Sequence, residues 1–316
     1  MCNEIILNIG AKHNSQIMIK RFYTIVLCAL VSLFASFQLS AQTTLISPTG
    51  DGGFETGTTF TANGWTLVNH SATTNNNWYV GAASTAAAGT NAAYVSNDGG
   101  TTWAYSNSVS STAHFYRDVT VVPTHPKIEL NFSWKGNGES GWDRLLVYVA
   151  PTTVTPVAGI PASNSTVLTG ATLVYTQTVF PQAAYTNAQV FLPSSLAGTT
   201  FRLIFTWQND GTIGTTPPAS VDNISLVSNV AGNFTSIASG NWGSASTWDL
   251  NAVPTAVDNV TIATGHLVDL AAASATVQAN NISISGTLGF PNTATTPLVA
   301  ATQLIGNNIT INTGGT

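Results

Sequence analysis

Cysteine is the first thing this sequence lacks. Its only two, Cys2 and Cys28, lie in the first 41 residues, a stretch that reads as an export signal. The rest of the chain therefore has no disulfide framework and no thiol chemistry. Charge is scarce as well, at 7% of all residues. Beyond residue 41 the bases are Arg117, Lys127, Lys135, Arg144 and Arg202, set against twelve acids. A chain so poor in cations presents no basic face to nucleic acid or to an anionic membrane, which excludes both as partners. Catalytic spacings are also missing. His70, His114, His125 and His266 form no H-E-x-x-H or other ligand pattern, and there is no G-x-S-x-G elbow and no phosphate-binding loop.

Lys20-Arg21 precedes an uncharged apolar run, Phe22 to Phe37, which is followed by Leu39-Ser40-Ala41. Basic residues, an apolar segment and a small residue before the cut form a secretory signal peptide, with cleavage expected after Ala41. The run is shorter than the roughly 20 residues that span a bilayer, so cleavage and release are expected rather than anchoring. Met18 stands where such a signal starts, and residues 1–17 are expected to precede the true start. The product is expected to be secreted or held at the cell surface, without membrane insertion after cleavage.

Thr, Ser, Asn, Gly and Ala fill the rest, and hydrophobic residues make up 44% of the whole chain. That fraction, with eight tryptophans, argues for a folded β-protein rather than a disordered polar chain. Alternation is clear in Ile128, Leu130, Phe132 and Trp134, and again in Phe201, Leu203, Phe205 and Trp207. This period of two marks half-buried strands. It places Trp134 and Trp207, together with Trp65, in a core. Further strands are expected at 78–81, 92–96, 115–122, 145–150, 173–180, 189–192 and 221–227. Turn clusters at 97–100, 135–138 and 209–211 separate them, and Asp210-Gly211 reads as a hairpin signal. No amphipathic helix stands out; the best candidate is the Ala-rich stretch 270–278.

Residues 42–228 are thus expected to form a jelly-roll β-sandwich. After a small polar linker at 228–232, V-x-I pairs recur at Val260/Ile262, Ile282/Ile284 and Ile309/Ile311, each followed by a glycine. Repeats of this kind predict a short parallel β-helix or solenoid over 229–316. The fold class is all-β, a sandwich followed by a solenoid segment that is expected to continue past Thr316.

The sandwich segment resembles the jelly-roll modules of secreted bacterial surface proteins, the group related to the MAM domain, the cleaved adhesins and choice-of-anchor J. Gly53-Phe54-Glu55-Thr56-Gly57, Gly64-Trp65, Asn77-Trp78-Tyr79-Val80-Gly81 and Ala93-Tyr94-Val95-Ser96-Asn97-Asp98 carry the resemblance. So do Phe132-Ser133-Trp134-Lys135-Gly136-Asn137-Gly138-Glu139, Asp143-Arg144-Leu145, Trp207-Gln208-Asn209-Asp210 and Pro217-Pro218-Ala219-Ser220-Val221-Asp222-Asn223-Ile224. The second segment is similar to the opening of β-helical repeats, through Gly240-Asn241-Trp242, Trp248, Pro254, Asp258 to Ile262 and Gly265-His266. The resemblance implies a non-catalytic adhesin, type IX secretion cargo, and a structural Ca²⁺ where the first and last strands meet. Glu55 and Asp222 would be the carboxylate ligands and Gly57 a backbone ligand, since calcium takes six to eight oxygens.

Glycans or extracellular proteins are the expected partners. Trp103 and Trp142 lie beside turns rather than in alternating runs, so they are candidates for sugar stacking. Asp143, Asn209 and Asp210 are candidate polar contacts. Glu139 with Asp143 is the only pairing of acids worth weighing for glycoside hydrolysis, and sequence proximity in a Gly-rich loop is weak support for it. The alternative function is an accessory carbohydrate-binding module ahead of a β-helical polysaccharide-degrading enzyme. Beyond residue 232, however, the only charged residues are Asp249, Asp258 and Asp269, so the solenoid segment carries no base or cation for a lyase.

Overall fold

A computed structural model describes residues 42–72, 75–159, 168–177, 182–270, 277–290 and 304–316. The export signal at 1–41 and most of the Ala-rich stretch fall outside the described residues. Residues 42–316 form one unit, which is all-β, a jelly-roll sandwich followed by a short parallel solenoid.

Among the described residues the sandwich has eleven strands. They are β1 (Thr43–Ile46), β2 (Thr66–Val68), β3 (Asn77–Gly81), β4 (Ala92–Ser96), β5 (Ser111–Thr120), β6 (Lys127–Gly136), β7 (Arg144–Pro151), β8 (Thr172–Gln177), β9 (Gln182–Leu192), β10 (Thr200–Asn209) and β11 (Ser220–Asn229). One sheet runs β3-β4-β11-β6-β9 with β1 also on β11, and the other runs β2-β5-β10-β7-β8. Every pairing within them is antiparallel.

Alternation determines what faces inward. Phe132, Trp134 and Leu130 from one sheet meet Phe115, Phe205 and Trp207 from the other in a single core. Phe115 is its hub: it stacks on Phe205 at 5.0 Å and meets Trp65 and Trp78 edge-on at 5.2 and 5.0 Å. Burying side chains of this size contributes roughly 1.5–3 kcal/mol each before entropy is counted. Trp65, Trp134 and Trp207 are all buried, as alternation required.

The Asp210-Gly211 hairpin expectation is corrected here. β10 and β11 lie in opposite sheets, so residues 210–219 form a crossover at the end of the sandwich. β11 serves two partners along one edge, β4 at Ser220–Val221 and β1 at Leu226–Ser228. The hand-over is a bulge with Asn223 at φ +51°. Gly52 threads under it so closely that a Cβ there would lie 1.8 Å from the Ile224 carbonyl oxygen, which makes this glycine obligatory.

The solenoid is built from β12 (Asn233–Thr235), β13 (Gly240–Asn241), β14 (Asn259–Ile262), β15 (Leu267–Asp269), β16 (Val277–Ile284), β17 (Thr287–Gly289) and β18 (Leu304–Ile311). Two parallel ladders result, β12-β14-β16-β18 and β13-β15-β17. The V-x-I pairs stack in register: Val260 over Ile282 over Ile309, and Ile262 over Ile284 over Ile311. Val277 and Gln278, from the end of the Ala-rich stretch, begin β16 rather than a helix. Asn259, Asn281 and Asn308 each donate a side-chain amide to the asparagine one coil back, at 2.8, 2.7 and 2.8 Å. Lys127 of the sandwich pairs with the fully buried Asp258 of the solenoid at 3.2 Å and so ties the two parts together.

Candidate functional site: the loop end of the sandwich

Three connections meet at one end of the sandwich: β4–β5 (residues 97–110), β6–β7 (137–143) and β10–β11 (210–219). Hydrogen bonds lock them to one another. The Trp103 indole N–H donates to the Pro218 carbonyl (3.0 Å), Asn137 donates its backbone N–H to Pro217 (2.6 Å), and Asn107 donates to Gly214 (3.1 Å). All five expected ligand residues, Trp103, Trp142, Asp143, Asn209 and Asp210, come together here. Their roles differ from one to the next.

Trp142 is 49% exposed and is the only tryptophan among the large exposed hydrophobic side chains. It sits on a tight turn in which the backbone N–H groups of Trp142 and Asp143 both donate to the Glu139 carbonyl, at 3.1 and 2.9 Å. An exposed, flat aromatic on a fixed turn is a stacking platform. Asp210 is partly exposed and folded into its own turn, accepting from the Thr212 amide and hydroxyl at 3.1 and 2.9 Å.

The other three depart from expectation. Asn209 is fully buried; it accepts from Asn76 at 2.9 Å and donates to the Val109 carbonyl at 2.7 Å. It is a structural residue, because an amide at the last position of a central strand is enclosed by the loops folding over it. Trp103 is partly buried, and its ring lies 4.5 Å from the Lys135 ammonium, so one face is already taken. Asp143 is fully buried and cannot touch a ligand at the surface, which also removes it from any glycosidase pair with Glu139. It accepts from the Tyr105 hydroxyl (2.6 Å) and the Glu139 amide (2.8 Å), and burial pushes its carboxyl up to about 6. Tyr105, in turn, is pushed upward chiefly by its own burial. Tyr105 could not be singled out from sequence, since a tyrosine in a turn-rich loop carries no periodic signal.

Glu55, Gly57 and Asp222 lie elsewhere, around the β3–β4 connection (residues 82–91). Asp222 is fully buried and accepts from the amides of Ala87, Ala88 and Asn223 at 2.7, 3.3 and 2.7 Å. Glu55 accepts from Thr90 and Asn91, both at 2.8 Å. The Gly57 carbonyl is taken by the Asn63 side chain at 2.8 Å. The same connection gives its Ser84 and Thr85 carbonyls to the buried Lys135 ammonium, at 2.5 and 3.0 Å, with the Tyr185 ring 4.4 Å from that ammonium. These oxygens face N–H donors, and the loop's carbonyls already have a cation. Glu55 and Asp222 thus anchor a hydrogen-bonded clasp around the β3–β4 connection. Among the described residues, no group of three or more His, Cys, Asp or Glu side chains is placed to hold a metal.

The sequence matches no family model and no curated protein. Solved structures similar to it include a Stig cyclase from Fischerella sp. TAU (16% identity over 60% of this chain and 100% of that chain, TM-score 0.37). Another is TmCBM61 in complex with β-1,4-galactotriose (12% identity, 57% of this chain and 97% of that one, TM-score 0.34). The K1 cleaved adhesin domain of Lys-gingipain from Porphyromonas gingivalis W83 is also similar (15% identity, 59% and 97%, TM-score 0.36). The chain carries a β-sandwich like those of carbohydrate-binding modules and an adhesin domain. Likenesses this distant assign no ligand.

Proposed function

We propose that this is a non-catalytic secreted or cell-surface protein of adhesin type. In this reading the loop end of the sandwich binds a glycan, or a glycan-bearing extracellular protein, and the solenoid acts as a spacer. One observation carries the proposal: Trp142, half exposed on a turn whose neighbours are locked by buried hydrogen bonds. A rigid aromatic loses little entropy on stacking against a sugar face, which is why such platforms serve binding sites. Asp143, the fully buried acid at this end, has no open access to a surface ligand, and the proposed role is binding without turnover.

The test is a glycan array probed with residues 42–316, wild type and Trp142→Ala. Selective hits that W142A weakens by about tenfold or more, in line with roughly 1.5–3 kcal/mol for one large apolar contact, would support the reading. A folded wild-type protein that binds nothing, or hits indifferent to W142A, would refute it. Cleavage of a bound polysaccharide would favour the enzyme alternative.

A further inference from the structure

Buried side-chain polar atoms without a hydrogen-bond partner are rare in folded proteins, because each forfeits the interaction it had with water. The short segment 137–144 holds four: Asn137 Oδ1, Glu139 Oε2, Asp143 Oδ1 and Arg144 Nε. Asp143 matters most, because its fully buried carboxyl is where all three connections meet. Its Oδ2 accepts from the Tyr105 hydroxyl of the β4–β5 connection and from the Glu139 amide of its own. Gly214, of the β10–β11 connection, closes over this pair. A Cβ there would lie 2.9 Å from Asp143 Oδ2 and collide with the Tyr105 hydroxyl. Oδ1 is left without a donor.

Ionised, this carboxyl is a buried charge that no described cation neutralises. Arg144 follows it in sequence, but its guanidinium pairs with Gln208 and is coupled to Tyr148 in the outer layer. Asp143 lies on the core side against Tyr105, whose ring meets Trp207 edge-on at 5.6 Å. The orphaned Arg144 Nε and Asp143 Oδ1 therefore do not answer each other. Lys135, near the end of β6, is committed to the Ser84 and Thr85 carbonyls. The ionisable groups that bear on Asp143 are Tyr105, which donates to it, and Glu139 and Asp210, two carboxylates that repel it. Two ways of relieving the charge remain. A proton on the carboxyl removes it and leaves the loops shut, or the loops open and let water reach Oδ1.

We propose that Asp143 is a proton-operated latch on the loop end of the sandwich: as the acid it holds the three connections closed, and as the carboxylate it loosens them. The sign follows from linkage. Burial lifts the carboxyl to about 6 in the folded protein, above the roughly 3.9 of an unfolded chain. The closed form thus binds the proton more tightly than an open one. The stability this adds is fully present below the unfolded value and is lost as the pH rises through about 6. Trp142, the residue before the latch, is then carried on a stiffer turn in mild acid than at neutral pH. The latch stands whether or not this end binds a glycan.

The experiment compares residues 42–316, wild type and Asp143→Asn, between about pH 7.5 and about pH 5. D143N is neutral throughout, and its amide oxygen can still accept from Tyr105 and Glu139. Buried His114, held down to about 4 chiefly by its burial, loses stability as the pH falls over this interval, while buried Asp222 is raised like Asp143. The readout is therefore the melting difference between the two proteins, in which both contributions cancel. D143N should melt above wild type at the neutral end, and the gap should shrink by roughly 4 °C at the acid end. Amide exchange, corrected for its intrinsic rate, should slow in 97–110, 137–143 and 210–219 of wild type on acidification and stay level in D143N. Should D143N not fold, Asp210→Asn, at a partly exposed position, takes its place. The side-chain ¹³C shift of Asp143 should titrate at about 6 in wild type and roughly half a unit lower in D210N. A melting gap that stays constant or widens toward acid would overturn the proposal. So would loop exchange indifferent to pH in wild type, or an Asp143 carboxyl that titrates in the ordinary range of about 4.

Discussion

The sandwich and the solenoid bury similar residues by opposite means. In the sandwich, segments distant in sequence converge on one aromatic hub, so Phe115 meets the rings of Phe54, Phe60, Trp65, Trp78 and Phe205. In the solenoid each coil covers only its neighbours. Phe234, Val260 and Ile282 are at most 3% exposed, whereas Ile309, one coil further, is 47% exposed. A converging core is all-or-none, while a stacked one is a sum of nearest-neighbour terms. The sandwich can therefore hold a fixed constellation of loops at its end, and the solenoid provides length.

The largest effect that would break this contrast comes from the two cores. Phe115→Ala should cost about 3–5 kcal/mol and Ile282→Ala about 2–5 kcal/mol. Their reach should differ. Hydrogen exchange by segment should show F115A raising exchange throughout 43–229, and I282A raising it only in 233–311. Equal spread of both would mean that the Lys127–Asp258 tie couples the parts into one cooperative unit. A smaller effect sharpens the same point. Asn281→Ala removes one amide bond given to Asn259 and one received from Asn308, about 1–2 kcal/mol in total. The loss should appear in the last two coils and leave the sandwich melt unmoved.

Much of this architecture can be read directly from residues. Period-two alternation gave strands at 128–134 and 201–207, each paired on both edges; 201–207 is nonetheless buried on both faces, with Ile204 packed against Leu146, Tyr148 and Ala150 behind the main core. The V-x-I pairs lie in register because 22- and 27-residue returns bring them to successive coils. Asp210-Gly211 misled because its turn chemistry is local, whereas the choice of sheet depends on where β11 finds β6. Asn209 misled for a similar reason: its partner, Asn76, lies 133 residues away, and no spacing rule reaches that far. The candidate site was legible as a cluster of turns. Its division into an exposed Trp142 and a buried Asp143, adjacent residues with opposite fates, depends on loops from two other connections and could not be read from the β6–β7 segment alone. Lys135 likewise shows no special context in sequence, yet it is the cation on which the β3–β4 connection is folded.

The account's central claim is that binding belongs to the loop end of the sandwich and not to the solenoid. Hydrogen exchange of residues 42–316, with and without a saturating glycan hit, tests this most directly. The account predicts slowed exchange confined to 97–110, 137–143 and 210–219, with 233–316 unchanged. Protection concentrated in the solenoid, with those three loops unaffected, would contradict it.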